Sequence, residues 1–157
     1  MTKGSYVAGA FTALTLLACA VEKKPPAAET GKAIVEAYIG AWNAHDSAAI
    51  DSLLASEGIH EDIAQNFRGK GSAEVVKFMR QHVASQPDFK WQVTNSIEDG
   101  RHVALEWTWA STYTGPDMAG KPVKNRRISG RGASFAEVEK GKVKRFTDYF
   151  DMGSFFR

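Results

Sequence analysis

The sequence predicts an α+β domain: a curved, mainly antiparallel sheet wrapped over a layer of three N-terminal helices. Apolar residues recur at helical spacing up to about residue 85 and at a period of two beyond it. Turn residues fall between these blocks, so helices come first and strands follow. At 157 residues the chain is long enough for one domain with a real core.

Thr30 is placed to cap a helix with Ile34, Val35, Tyr38, Ile39 and Trp42 on one face. "NAHD" ends it, and Asp46 or Ser47 caps a short second helix carrying Ile50, Leu53 and Leu54. An extended stretch, "GIHEDI", and the turn "RGKG" follow. Ser72 is the expected cap of a third helix, with Val75, Phe78, Met79 and Val83 inward and a stop ahead of Pro87. Phe89, Trp91, Val93 and Ile97 then alternate with polar residues up to the turn "EDG". Val103, Leu105, Trp107 and Trp109 form the next alternating set. The loop "YTGPDMAGKP" leads to a strand from about Val123 to Val138, and "EKGK" turns into a last strand, Val143 to Phe150. Along the long strand, Gly130, Gly132, Ser134 and Ala136 share a face with almost no side-chain volume, which predicts a hollow beside Trp107 and Trp109.

A net charge of +2 argues against nucleic acid as a partner, and Lys121, Lys124, Arg126, Arg127 and Arg131 read as a solvated loop and strand edge. Residues 1–18 have a cationic start and an apolar run too short to span a bilayer, the pattern of a secretory signal. "LLAC" resembles the lipobox of bacterial lipoproteins, which implies cleavage before Cys19 and lipid attachment to its sulfur. Residues 19–29, rich in Pro and Ala, read as the lipidated cysteine and a flexible tether, leaving residues 30–157 as the domain. Ala20 favours the outer membrane, facing the periplasm, if the host is Gram-negative.

The last strand raises the chemical question. If Phe146 faces inward, so do Asp148 and Phe150, and a carboxyl between two phenylalanines looks into the hollow. Desolvation is expected to raise its pKa, which suits an acid/base role; a structural tie to neighbouring donors is the other reading. Asp151 sits where the strand ends and suits a cap.

In order and spacing, "YIGAWNAHDSAAIDSLLA", "IHED", "RGKGSAEVVKFM", "ALEWTWASTYTGPDMAGKP" and "GKVKRFTDYFD" resemble the SnoaL-like polyketide cyclase branch of the nuclear transport factor 2-like superfamily. The resemblance covers about Thr30 to the C-terminus. It implies a cone-shaped barrel, a deep apolar pocket, and often a homodimer through the sheet's outer face. Polyketide cyclases use a pocket carboxylate as acid/base; Asp148 is the counterpart, with Asp151 left open. The Asp, Tyr and protonated-acid constellation of ketosteroid isomerases has no counterpart here. Limonene epoxide hydrolases share the "DYFD" ending, whose first Asp again matches Asp148. Their partner Arg and second Asp fall at Trp107 and Trp109, and their water-positioning pair near His60 and Asp62, which disfavours that hydrolysis here.

The expected site therefore has Asp148 and His60 as acid/base groups. Trp42, Asp62, Trp107, Trp109, Tyr113, Ser134 and Phe146 are the binding residues. His45, His82 and His102 lack ligand spacing and a single His beside Asp62 and Asp148 is a poor metal set, so no metal or other cofactor is expected. The reading that results is an exported, lipid-anchored pocket protein for a small lipophilic molecule. Its alternative is a cyclase or isomerase acting on a carbonyl compound through Asp148.

Overall fold

Thr30 begins the first helix as expected, its side chain accepting from the Ala33 N–H at 3.2 Å. The computed structural model describes Met1 and residues 30–153, so the lipobox cysteine Cys19, the apolar run before it and the tether lie outside the described residues. Among the described residues no helix is long and apolar enough to cross a membrane.

Helix α1 (Gly31–Ala44) buries Ile34, Val35, Tyr38, Ile39, Ala41 and Trp42, and ends at His45, which adopts a left-handed conformation with φ 57°. Asp46 accepts from the Ala48 and Ala49 N–H groups to start α2 (Ser47–Leu53), a cap worth about 1 kcal/mol. The stretch around "GIHEDI" is longer than expected and pairs as β1 (Leu54–Asp62) and β2 (Phe67–Lys70). Helix α3 (Gly71–Ser85) is not capped by Ser72. Its cap residue is Lys70, whose N–H donates to Glu74 at 2.8 Å, while Ser72 donates to Asp51 of α2.

The remaining strands are β3 (Lys90–Asp99), β4 (His102–Pro116), β5 (Pro122–Glu139) and β6 (Lys142–Phe150). They form a six-stranded sheet in the order β2-β1-β6-β5-β4-β3, antiparallel except for the parallel β1–β6 pair. One expectation fails within β3. The register slips between Val93 and Asn95, and a one-residue bulge exchanges the faces of everything beyond it. Ile97 thus points away from the core and is 71% exposed.

The helices cover the sheet's inner face. Asn43 of α1 fastens the start of β3 there: its Nδ2 donates to the Trp91 carbonyl at 2.8 Å and its Oδ1 accepts from the Trp91 N–H at 2.7 Å.

Candidate functional site

The parallel β1–β6 ladder sets His60 beside Phe146 and Asp62 beside Asp148. Side chains alternate across a strand, so His60 and Asp62 share the inner face with Phe146 and Asp148. Glu61 and Thr147 occupy the opposite face, where Glu61 accepts from Arg68 at 2.9 Å and from Arg145 at 2.5 Å. Burial pushes the Glu61 carboxyl up, but these donors outweigh it and hold it below its usual range. The expected division of β6 holds for Asp148, which is 1% exposed. Asp151 is exposed and accepts from the Gly153 N–H at 2.8 Å, a turn-capping role.

A buried hydrogen-bonded chain runs through Asp148. Trp107 Nε1 donates to Ser134 Oγ at 2.6 Å, and the Ser134 hydroxyl donates onward to Asp148 Oδ1. His60 Nε2 lies 3.3 Å from Asp148 Oδ2, and Tyr38 Oη lies 2.9 Å from His60 Nδ1. Burial raises the Tyr38 phenol above its usual range, with the nearby Asp148 adding to that and Trp42 partly opposing it. Tyr38, His60 and Asp148 thus form one buried chain in which the direction of each contact at the imidazole is set by the ring's tautomer. In this chain the serine bonds to the aspartate and not to the histidine. It cannot pass its proton to His60, so the three residues are not a nucleophilic triad.

Asp148, His60, Asp62 and Trp42 line a small interior cavity with Phe78, His82, Phe89 and Trp91. A second cavity adjoins it through Asp62, His82, Phe89 and Trp91, and adds Gln65, Gln86, Trp107, Trp109 and Phe150. Each holds about 20 Å3, space for roughly one water. All four tryptophans of the chain line one or the other.

The small residues of β5 do not leave a large hollow, which corrects the expectation. Trp107 and Gly132 are register partners, and the indole lies across the glycine so closely that a Cβ there would meet Trp107 Cη2 at 2.5 Å. The missing volume is the seat of a ring. Ser134 and Phe146 are fully buried but lie behind the cavity walls: Ser134 ties Trp107 to Asp148, and Phe146 packs 5.3 Å from both Tyr38 and His60. Tyr113 lies outside the lining of both cavities, and its hydroxyl donates to the Pro116 carbonyl at 2.7 Å. A wider and more open depression has Glu106, Thr108, Arg131 and Tyr149 among its lining residues.

Asp62, His82 and Gln86 gain weight from the structure. Asp62 is 5% exposed, and Gln65 donates to it twice, from its N–H at 2.8 Å and its Nε2 at 2.6 Å. Burial nevertheless pushes the Asp62 carboxyl up to about 6, with the Asp148 charge contributing. Burial pushes His82 down to about 4, so it is neutral at pH 7. Gln86 Nε2 lies 3.1 Å from His82 Nε2, and Gln86 Oε1 is buried without a hydrogen-bond partner among the described residues. Sequence reasoning passed over both residues: His82 carries no ligand spacing, and Gln86 precedes a proline like any helix-end residue.

Three helices against a curved, mostly antiparallel sheet with an acid on the last strand define a nuclear transport factor 2-like α+β cone. The SnoaL-like polyketide cyclase family matches residues 32–157, and the chain belongs to that family. No curated protein matches the sequence. Among solved structures, a proposed polyketide cyclase from Pseudomonas putida is 25% identical with a TM-score of 0.66, covering 80% of this chain and 95% of that one. A SnoaL-like polyketide cyclase from Agrobacterium tumefaciens is 19% identical with a TM-score of 0.67, covering 80% and 94%. An epoxide hydrolase of the limonene type from M. tuberculosis is 23% identical with a TM-score of 0.64, covering 80% and 86%. Similarity at these levels identifies the fold and leaves the chemistry to the site.

Proposed function

We propose that this chain is an exported, lipid-anchored pocket protein that holds a small, largely apolar molecule in its aromatic interior. The observation that carries the reading is the convergence of all four tryptophans on two adjoining cavities that also contain Asp62, His60 and Asp148. Such an interior supplies contact area from the rings and orientation from a few polar groups. Among the described residues no lysine or arginine lines either cavity, so an enolate forming there would lack such a cationic partner. That weighs for binding over turnover.

Tryptophan fluorescence is the direct test. Titration of the full chain with small apolar compounds should shift the emission saturably, and native mass spectrometry should show a co-purifying molecule. A flat response with an empty mass spectrum would sink the reading. Lipid anchoring has its own check, since Cys19→Ser should move the protein from the membrane to the soluble fraction.

The 3.3 Å contact between His60 and Asp148 supports a second reading, acid/base catalysis on a carbonyl compound. It requires the wild type, and not Asp148→Asn, to accelerate exchange of α-protons in a panel of ketones followed by NMR in heavy water. Equal exchange by both proteins would exclude it.

A further inference from the structure

The cavity around Asp62 has a chemical character that the pocket reading leaves unused. Its walls are Phe89, Trp91, Trp107, Trp109 and Phe150, together with the carboxyl of Asp62 and the amides of Gln65 and Gln86. The rings enclose the space as a connected set: Phe89 meets Trp91 at 5.5 Å and Trp109 at 5.7 Å, Trp91 meets Trp107 at 5.5 Å, and Trp107 meets Phe150 at 5.9 Å. Aromatic faces carry negative potential and attract organic cations, most strongly from Trp.

Several polar groups share that sign, although His60 also lines the adjoining cavity, 3.3 Å from Asp148. Asp62 contributes a carboxylate, and Gln86 leaves its Oε1 as a buried acceptor without a partner although the residue is only 5% exposed. Asp148 supplies a second carboxyl to the adjoining cavity. His82, the basic group common to both, is held neutral at pH 7. The buried donor Trp42 Nε1 makes no hydrogen bond of its own, but it sits near enough to the Tyr38 hydroxyl to ease that group's ionisation.

We propose that the Asp62 cavity is a cation site that takes the ammonium end of a small organic amine, between the Asp62 carboxylate, the Gln86 carbonyl and the faces of Trp91, Trp107 and Trp109. This rests on the pocket reading above and names the class of its ligand. Gln65 already donates to both Asp62 oxygens, so a neutral guest leaves the buried charge hydrogen-bonded but not neutralised, whereas an ammonium group meets the carboxylate and the Gln86 carbonyl at once. Size sharpens the choice. With about 20 Å3, space for roughly one water, the Asp62 cavity encloses about one heavy atom, the nitrogen of a primary ammonium group, and the adjoining cavity of the same size has room for the carbon attached to it.

The test titrates the full chain in detergent at pH 7.5 with methylammonium chloride. Methanol and ethanol serve as uncharged counterparts and sodium chloride as the ionic-strength control, with tryptophan emission and calorimetry as readouts. Saturable binding of the ammonium ion alone is expected, weakened at least about tenfold by Asp62→Asn. Gln86→Met, which removes the unpartnered carbonyl without touching the acid, should also weaken ammonium binding and guards against an Asp62 variant that folds poorly. Saturable binding of the alcohols at equal affinity would overturn the cation assignment and leave the pocket reading standing. So would ammonium binding unchanged in both variants. If neither these probes nor larger apolar compounds bind, both proposals fall.

Discussion

Ser134 and Asp148 face each other as register partners on β5 and β6, and the Ser134 hydroxyl that accepts from Trp107 donates to the Asp148 carboxyl. Three strands are thereby joined by one buried oxygen. Ser134→Ala removes a donor and an acceptor together and strands two buried groups. We expect a loss of about 2–4 kcal/mol in urea denaturation. A loss below about 0.5 kcal/mol would mean that the hydroxyl contributes nothing.

Gly132→Ala tests the seating of Trp107. The added methyl would meet the indole and the Tyr149 carbonyl, each at 2.5 Å, and neither can move without disturbing the sheet. Destabilisation of about 1–3 kcal/mol with altered near-UV dichroism is expected. A variant as stable as the wild type would show that the ring has room to shift.

Asp62 gives a pH signature of known sign. It is faced by Asp148 from β6, by His60 on its own strand and by His82 from α3. The folded protein holds the Asp62 proton up to about pH 6, whereas an unperturbed aspartate releases it near 3.8. This group's contribution therefore favours folding at low pH and is lost as pH rises through that interval. Asp62→Asn should stabilise the protein by about 1–3 kcal/mol at pH 7.5 and by little at pH 4. His82 runs the other way. Its proton is bound less tightly in the folded state, so its contribution is lost as pH falls from 6.5 toward about 4. A uniform effect of Asp62→Asn across the range would contradict the assignment.

Tyr38→Phe probes the histidine tautomer. With the phenol donating across the 2.9 Å Tyr38 contact, nitrogen NMR of the wild type is expected to show His60 protonated at Nε2 and accepting at Nδ1. Loss of the phenol should shift the Nδ1 resonance and cost about 1 kcal/mol. An unmoved resonance would show that the phenol does not set the tautomer.

The outer face of the sheet exposes Ile97, Phe135 and Tyr149, and Phe135 meets Tyr149 edge-on at 6.0 Å. We propose a homodimer through this face, since a patch of large apolar groups is stabilised by being covered. Light scattering should report a dimer that Phe135→Lys converts to a monomer. A wild-type monomer at high concentration would refute it.

Much of this architecture could be read from residue spacing. Thr30 and Asp46 cap where expected because short polar side chains bonding the next N–H groups are a purely local device. Asp148 is readable as inward-facing because the register of β6 runs without a shift from Arg145 to Phe150. Where reading failed, the cause was non-local. Nothing near Thr94 announces the slip that turns Ile97 outward, since a bulge is decided by the partner strand. The empty-looking face of β5 was misjudged because the ring that fills it belongs to β4. The rise of Asp62 depends on its pairing with β6, which no spacing within "GIHEDI" reveals.

That parallel pairing has a consequence for how the molecule comes into being. Glu61 and Thr147 touch across 86 positions of sequence, and the acids on the neighbouring positions meet by the same ladder. Loop closure of that length is entropically slow, so docking of the final strand should be a late event. A chain in which β6 has not yet docked carries His60 and Asp62 without their counterpart. The interior constellation is thus assembled only when β6 closes against β1.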